Sequence, residues 1–302
     1  MISESLNKNM WKILIDSFKK FIDENSFQDA AAIAFYTIFS FPGIAIISVT
    51  IASGFFYEHE QVKNELLKQM TLLMGQSSEK YIKIMLNASL FSGESLFMKV
   101  IGSAILLIST TTVFISLQES LNKIWNIKPK PKRFILKLIA NRVLSFSFVA
   151  STGLVLLVSL MMDTMIALFK VSILDYFADI SVYIVTMINF VFSEAIAVLV
   201  FASIYKVLPD VRIQWKDVWV GATVTTILFT VGKMLIAYYL RSADFNNAYG
   251  AAGSLVAMLA WVYYSMLILF FGAQFTFVYT NNMGRKILPG KDAVEVKVVE
   301  VK

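Results

Sequence analysis

Cysteine is absent from these 302 residues, and histidine occurs once, at His59. No disulfide, thiolate metal site or cysteine nucleophile is therefore available, and a lone imidazole cannot build a multi-histidine zinc cluster or relay. Charge is also scarce, at 16% of residues, which is too little to solvate a soluble domain of this length. A Walker-type phosphate loop is missing, which leaves nothing to couple nucleotide hydrolysis to the chain. These gaps point away from an enzyme: no catalytic residue, metal site or cofactor is expected.

What the chain has instead is apolar surface. Hydrophobic residues make up 57% of it, arranged as long runs that each suffice to cross roughly 30 Å of hydrocarbon at about 1.5 Å per residue. The fold class expected is all-α: a polytopic membrane protein with six transmembrane helices plus amphipathic interfacial helices. The spans fall at about 30–56, 96–117, 144–168, 180–205, 218–240 and 249–280. They form one membrane domain, 1–284, preceded by an interfacial helix at 5–24 and followed by a charged tail, 285–302, expected to be disordered after Pro289. The first residues show no apolar core with a small-residue cleavage site, so no removable signal peptide is expected.

From Leu6 to Ile22 apolar residues recur at helical spacing, with Lys8, Lys12, Lys19 and Lys20 mostly on the other side. That pattern fits a helix in the lipid interface and equally a short helix packed on the protein itself. Val62, Leu66, Met70 and Leu73 share one helical face, and Tyr81, Ile82, Met85 and Leu86 begin a second amphipathic piece; two interfacial helices are expected on the outer side. Pro42 and Gly43 are a candidate hinge in the first span. Gly250 and Gly253, among small residues, are candidates for close helix packing in the last. Trp125 closes the second span, where it is expected at the membrane interface.

The net charge of +6 suggests nucleic acid as one partner, but the basic residues are spread over short loops rather than gathered on a module. Nineteen of the 27 Lys and Arg fall in the amino terminus, the 123–142 and 206–216 loops and the carboxyl terminus, against seven in the alternate loops. By the positive-inside rule both termini are cytoplasmic. The densest cluster, Lys128, Lys130, Lys132 and Arg133, is a candidate contact for anionic lipid.

An ionisable side chain at membrane depth costs about 2.5–3.5 kcal/mol even on insertion scales, so it marks a candidate site. Glu194 lies near the middle of the fourth span and Lys233 in the fifth, somewhat outward. A Glu194–Lys233 pair is one arrangement; a lysine snorkelling toward Asn189 or Asp163 is the other. Gln274, Tyr36, Trp261 and Tyr264 complete the candidate transport path or buried polar network.

Three segments carry a resemblance: Asp29-Ala-Ala-Ala-Ile-Ala-Phe-Tyr-Thr-Ile-Phe-Ser-Phe-Pro42, Glu119-Ser-Leu-Asn-Lys-Ile-Trp125, and the stretch from Ala248-Tyr-Gly-Ala-Ala-Gly-Ser254 to Phe271-Gly-Ala-Gln274. Their order and intervals resemble the YihY and virulence factor BrkB family of bacterial inner-membrane proteins. One departure is Gln274, where the family usually has glutamate. The resemblance implies a multi-pass protein of the cytoplasmic (inner) membrane with an export or lipid-handling role. It also brings a ribonuclease label that one histidine and no clustered metal ligands do not support. The expected function is a gradient-driven transporter or flippase for an amphiphilic envelope substrate, with membrane lipids as partners and no nucleic acid. The alternative is a non-transporting scaffold that binds anionic lipid or protein partners.

Overall fold

The computed structural model describes residues 2–53, 59–74, 83, 111–130, 178–242 and 253–296. The expected span 144–168, most of 96–117 and the first residues of 249–280 lie outside the described residues, as do Tyr81, Ile82, Met85, Leu86, Asp163, Gly250, Lys132 and Arg133. Among the described residues the chain forms seven helices: α1 (Ile2–Asp23), α2 (Ser26–Ser53), α3 (His59–Met74), α4 (111–124), α5 (Ala178–Val207), α6 (Trp215–Ser242) and α7 (Gly253–Asn282).

Three of these are long and apolar enough to cross a membrane, over Phe190–Val207, Trp215–Ile236 and Leu255–Asn282. They coincide with the fourth, fifth and sixth expected spans. Of the Leu255–Asn282 window 39% is buried, against 17% of Phe190–Val207, which makes α7 the central element. It packs on α6, α2 and α1, while α5 packs on α6. The outer faces of α5 and α6 expose Met187, Phe190, Val191, Ile227, Val231, Met234 and Leu235, as lipid-facing helices must.

Helix α1 resolves the choice its sequence left open by using two faces. Ile13, Ser17 and Phe21 are buried, with Ile13 clustered against Phe275 and Val278 of α7. Trp11, Ile15, Phe18 and Ile22, spaced along a second stripe, are exposed. Helix α2 remains helical through Pro42 and Gly43, so neither ends it; a carbonyl freed by proline is readily re-satisfied in a membrane helix. On α3, Val62 and Leu66 are buried and the helix contacts α2, α6 and α7.

Close approach of α6 and α7 is set by glycines that the sequence reading did not single out. A Cβ at Gly232 would collide with the hydroxyl of Tyr264, and one at Gly272 with Thr225 and Tyr205. Hydrogen at these positions lets side chains of one helix rest on the backbone of the other.

The all-α expectation needs one correction. Four short strands form two antiparallel pairs: β1 (Ile127–Pro129) with β4 (Ala293–Glu295), and β2 (Val211–Arg212) with β3 (Leu288–Pro289). Residues after Pro289 are therefore ordered as far as Val296, not disordered. Backbone bonds from Lys130 N to Asp292 O (2.8 Å) and Val296 N to Asn126 O (2.8 Å) extend the pairing. The polar backbone of the 127–130 segment supplies partners that composition alone does not reveal.

Candidate functional site

Two polar constellations stand out, one at the end of the bundle where α1 ends and α2 begins, the other between α5 and α6. The first begins with Asn25 and Asn126, which adopt left-handed backbone at φ 57° and turn the chain out of α1 and α4. Asparagine tolerates this region better than most residues. The turn after α1 places Glu24 against α7: Gln274 Nε2 donates to Glu24 Oε2 at 2.8 Å, and Lys20 Nζ lies 3.2 Å from Glu24 Oε1. Lys20 also donates to Ile124 O at 3.0 Å and sits over the Phe277 ring, 3.3 Å from its centroid. Burial pushes the Glu24 carboxyl above the usual carboxylate range, against the pull of Lys20, Gln274 and Lys123. Burial likewise lowers Lys20, with Glu24 opposing. Both charges are held short of full hydration and depend on each other.

Around this pair the ends of the helices are tied together. Trp125 is 1% exposed, and its Nε1 donates to Ala273 O at 3.0 Å. The indole is an internal anchor, because its polar edge finds a carbonyl on α7. Asn122 holds Asp210 at two points, donating from Nδ2 to Oδ2 at 3.0 Å and accepting from Asp210 N at 2.8 Å. Gln118 adds a bond to the same carboxylate. Asp217, buried in the first turn of α6, is ion-paired with Arg285 just beyond α7, and a carboxylate there also suits the helix dipole.

Beside this network, α2 and α4 enclose a crevice of about 310 Å³. Asp29 and Tyr36 line it from α2, and Ser116, Glu119, Ser120 and Lys123 from α4. Lys123 Nζ pairs with Asp29 Oδ2 at 2.9 Å across it.

The second constellation lies inside the spans. Lys233 Nζ is 3.4 Å from Glu194 Oε1, and Thr230 Oγ1 donates to Glu194 Oε2 at 2.7 Å. Of the two arrangements open in the sequence, the pair is the one formed. Glu194 stands 13 residues from Val207 on α5, roughly 20 Å along the helix, so the pair lies near the middle of α5. The side chains remain 21% and 34% exposed, so neither charge is sealed off.

The other expected path residues scatter. Gln274 belongs to the first constellation, Tyr36 lines the crevice, and Trp261 stacks on Phe229 at 5.4 Å. Tyr264 rests on Gly232. Asn189 and Gly253 lie on α5 and at the start of α7. Lys128 and Lys130 are exposed on and just after β1. Among the described residues no group of three or more His, Asp or Glu is placed to hold a metal ion. Sequence reasoning missed Glu24, Lys20, Asp210, Asp217 and Arg285. Polar residues at helix ends read as solvated, and only their partners on distant elements distinguish them.

The family model described as Virulence factor BrkB matches residues 17–296, nearly the whole chain. The chain belongs to the virulence factor BrkB family. This BrkB-family chain is similar to proteins named UPF0761 membrane protein. One, from Janthinobacterium sp. (strain Marseille), is 27% identical over 62% of the chain and 41% of the relative. Another, from Chlorobium limicola, is 23% identical over 92% and 60% respectively. A third, from Alteromonas mediterranea, is 23% identical over 85% and 84%. The chain thus spans about half the length of the first two relatives, and most of the third. No solved structure matches it. All three resembling segments meet at the basic end: the first brings Asp29, the second Glu119 to Trp125, and the third Ala273 and Gln274.

Proposed function

We propose that this BrkB-family membrane protein moves an amphiphilic envelope molecule across the bacterial cytoplasmic membrane, without enzymatic chemistry and driven by a gradient. In this reading the chain crosses six times. The end bearing α1, the 123–142 loop and the carboxyl-terminal strands faces the cytoplasm, since it carries most of the Lys and Arg.

One observation carries the proposal: the Glu194–Lys233–Thr230 cluster inside two helices long and apolar enough to span. A structural helix pair gains little from such residues, because apolar groups of similar volume pack as well without the desolvation cost. A loose, partly exposed pair has a use when its members must exchange partners, as when a polar headgroup passes. Purified protein in proteoliposomes tests this, with lipid translocation measured for wild type, Glu194→Gln and Lys233→Met. Loss of at least tenfold in rate for both is expected. Wild-type rates in both variants would remove the pair from the mechanism.

A second reading, a non-transporting scaffold on anionic lipid, draws on the exposed Trp11, Ile15, Phe18 and Ile22 stripe of α1, flanked by exposed Lys12 and Lys19. That stripe suits a helix lying in the headgroup region. Wild-type proteoliposomes that bind anionic vesicles yet translocate no lipid would favour the scaffold.

A further inference from the structure

The crevice between α2 and α4 has a charge arrangement that local sequence would not produce. Glu119 and Lys123 lie four residues apart on α4, with the acid on the amino-terminal side, the favoured order for an ion pair within one helix. The fold diverts Lys123 across the crevice to Asp29 at 2.9 Å. Glu119 is left exposed on the crevice wall, with no ion-pair partner among the described residues. Asp29, Glu119 and Lys123 leave the lining one negative charge in excess. Ser116, Ser120 and Tyr36 add hydroxyls that both donate and accept.

Such a lining asks for a cationic group at Glu119 and tolerates an anionic one at Lys123. One free carboxylate with hydroxyls is a poor match for a divalent cation, which takes six or more oxygen ligands or a tight octahedral set. It matches an ammonium, whose three donors a carboxylate and two hydroxyls can accept. Lys123, 48% exposed on its side chain, can serve Asp29 and a phosphate together. The crevice runs from Asp29 to Tyr36, seven residues or about 10 Å along α2. Beside Tyr36, the Phe35 and Phe39 rings are 55% and 59% exposed. Tyr36 of the lining is in ring contact with Phe35, and Phe35 with Phe39; a polar slot next to exposed aromatic rings fits a molecule with a headgroup and an apolar tail.

We propose that this crevice binds the headgroup of an amphiphile carrying both a primary ammonium and a phosphate, the ammonium at Glu119 and the phosphate at Lys123. This rests on the transport reading for its purpose, but binding is measured apart from transport. Purified full-length protein in detergent is titrated with dihexanoyl phosphatidylethanolamine, dihexanoyl phosphatidylglycerol and free O-phosphoethanolamine, followed by tryptophan fluorescence and calorimetry.

Wild type should bind the ethanolamine lipid about tenfold more tightly than the glycerol lipid, the scale of one charge-assisted contact. Glu119→Gln should abolish that preference by weakening the ethanolamine lipid, and Lys123→Gln should weaken both lipids. Glu119 is exposed, so its replacement leaves the fold intact. Equal binding of the two lipids by wild type, or an undiminished preference in Glu119→Gln, overturns the proposal. Free phosphoethanolamine should bind at least tenfold more weakly than the lipid, and equal affinity overturns the lipid as the source of the headgroup. Proteoliposome translocation separates the two readings. Selective binding without transport supports the crevice site and sinks transport, whereas transport with an indifferent Glu119→Gln sinks the site alone.

Discussion

Replacing Gln274 by Glu places two carboxyl groups where an amide now donates to Glu24 at 2.8 Å. Gln274 is fully buried, and its Oε1 has no hydrogen-bond partner. Two unit charges at that separation repel by about 6 kcal/mol at an effective dielectric of 20, before Lys20, 3.2 Å from Glu24, offsets part of it. The variant escapes the repulsion by sharing one proton between the carboxyls, so the full cost is never met near neutral pH. At pH 5 the variant should match wild type. By pH 9, as the shared proton is lost, it should be less stable by about 2–4 kcal/mol. Unfolding of the detergent-solubilised protein, followed by tryptophan fluorescence across this range, reads the difference. The exchanged variant, Glu24→Gln with Gln274→Glu, restores one carboxylate and one amide and should return within about 1 kcal/mol of wild type. The contact is refuted if Gln274→Glu alone shows wild-type stability at pH 9, or if the exchange rescues nothing.

Four further outcomes are expected from the packing and the backbone. Glu24 has a folded-state pKa raised by burial, so its contribution is fully present below the unfolded value and is lost as pH rises through the folded one. The stability of wild type relative to Glu24→Gln should therefore decline as pH is raised from the usual carboxylate range upward, as denaturant titrations in detergent will read. Trp125→Phe keeps most of the ring but leaves the Ala273 carbonyl without its donor; a loss of about 1–3 kcal/mol is expected in the same assay. Gly272→Ala drives a methyl into Thr225 and Tyr205, whose hydroxyls bond each other at 2.9 Å and, from Tyr205, Leu269 O at 2.7 Å. It should cost about 1–3 kcal/mol, whereas Gly284→Ala, in open space but at φ 69°, tests backbone strain alone and should cost about 1 kcal/mol.

The residues themselves determined that this is a helical membrane protein, where three of its spans fall, which end is basic, and that Glu194 and Lys233 are out of place in hydrocarbon. Each conclusion rests on a property of a single segment: its length, its apolarity, its charge. Pairing is a different kind of fact. Whether Lys233 meets Glu194 or snorkels depends on the relative rotation and height of α5 and α6, which neither helix encodes alone. Trp125 reads as an interfacial aromatic, and only α7 brings the Ala273 carbonyl to its indole. The tail after Pro289 reads as disordered until the 127–129 and 211–212 segments offer it strands to pair with. Lys123 would go to Glu119 on an isolated helix, and only the approach of α2 carries it to Asp29. Local composition sets which groups a segment must bury or expose, while the partners of polar groups are chosen by elements far apart in the chain.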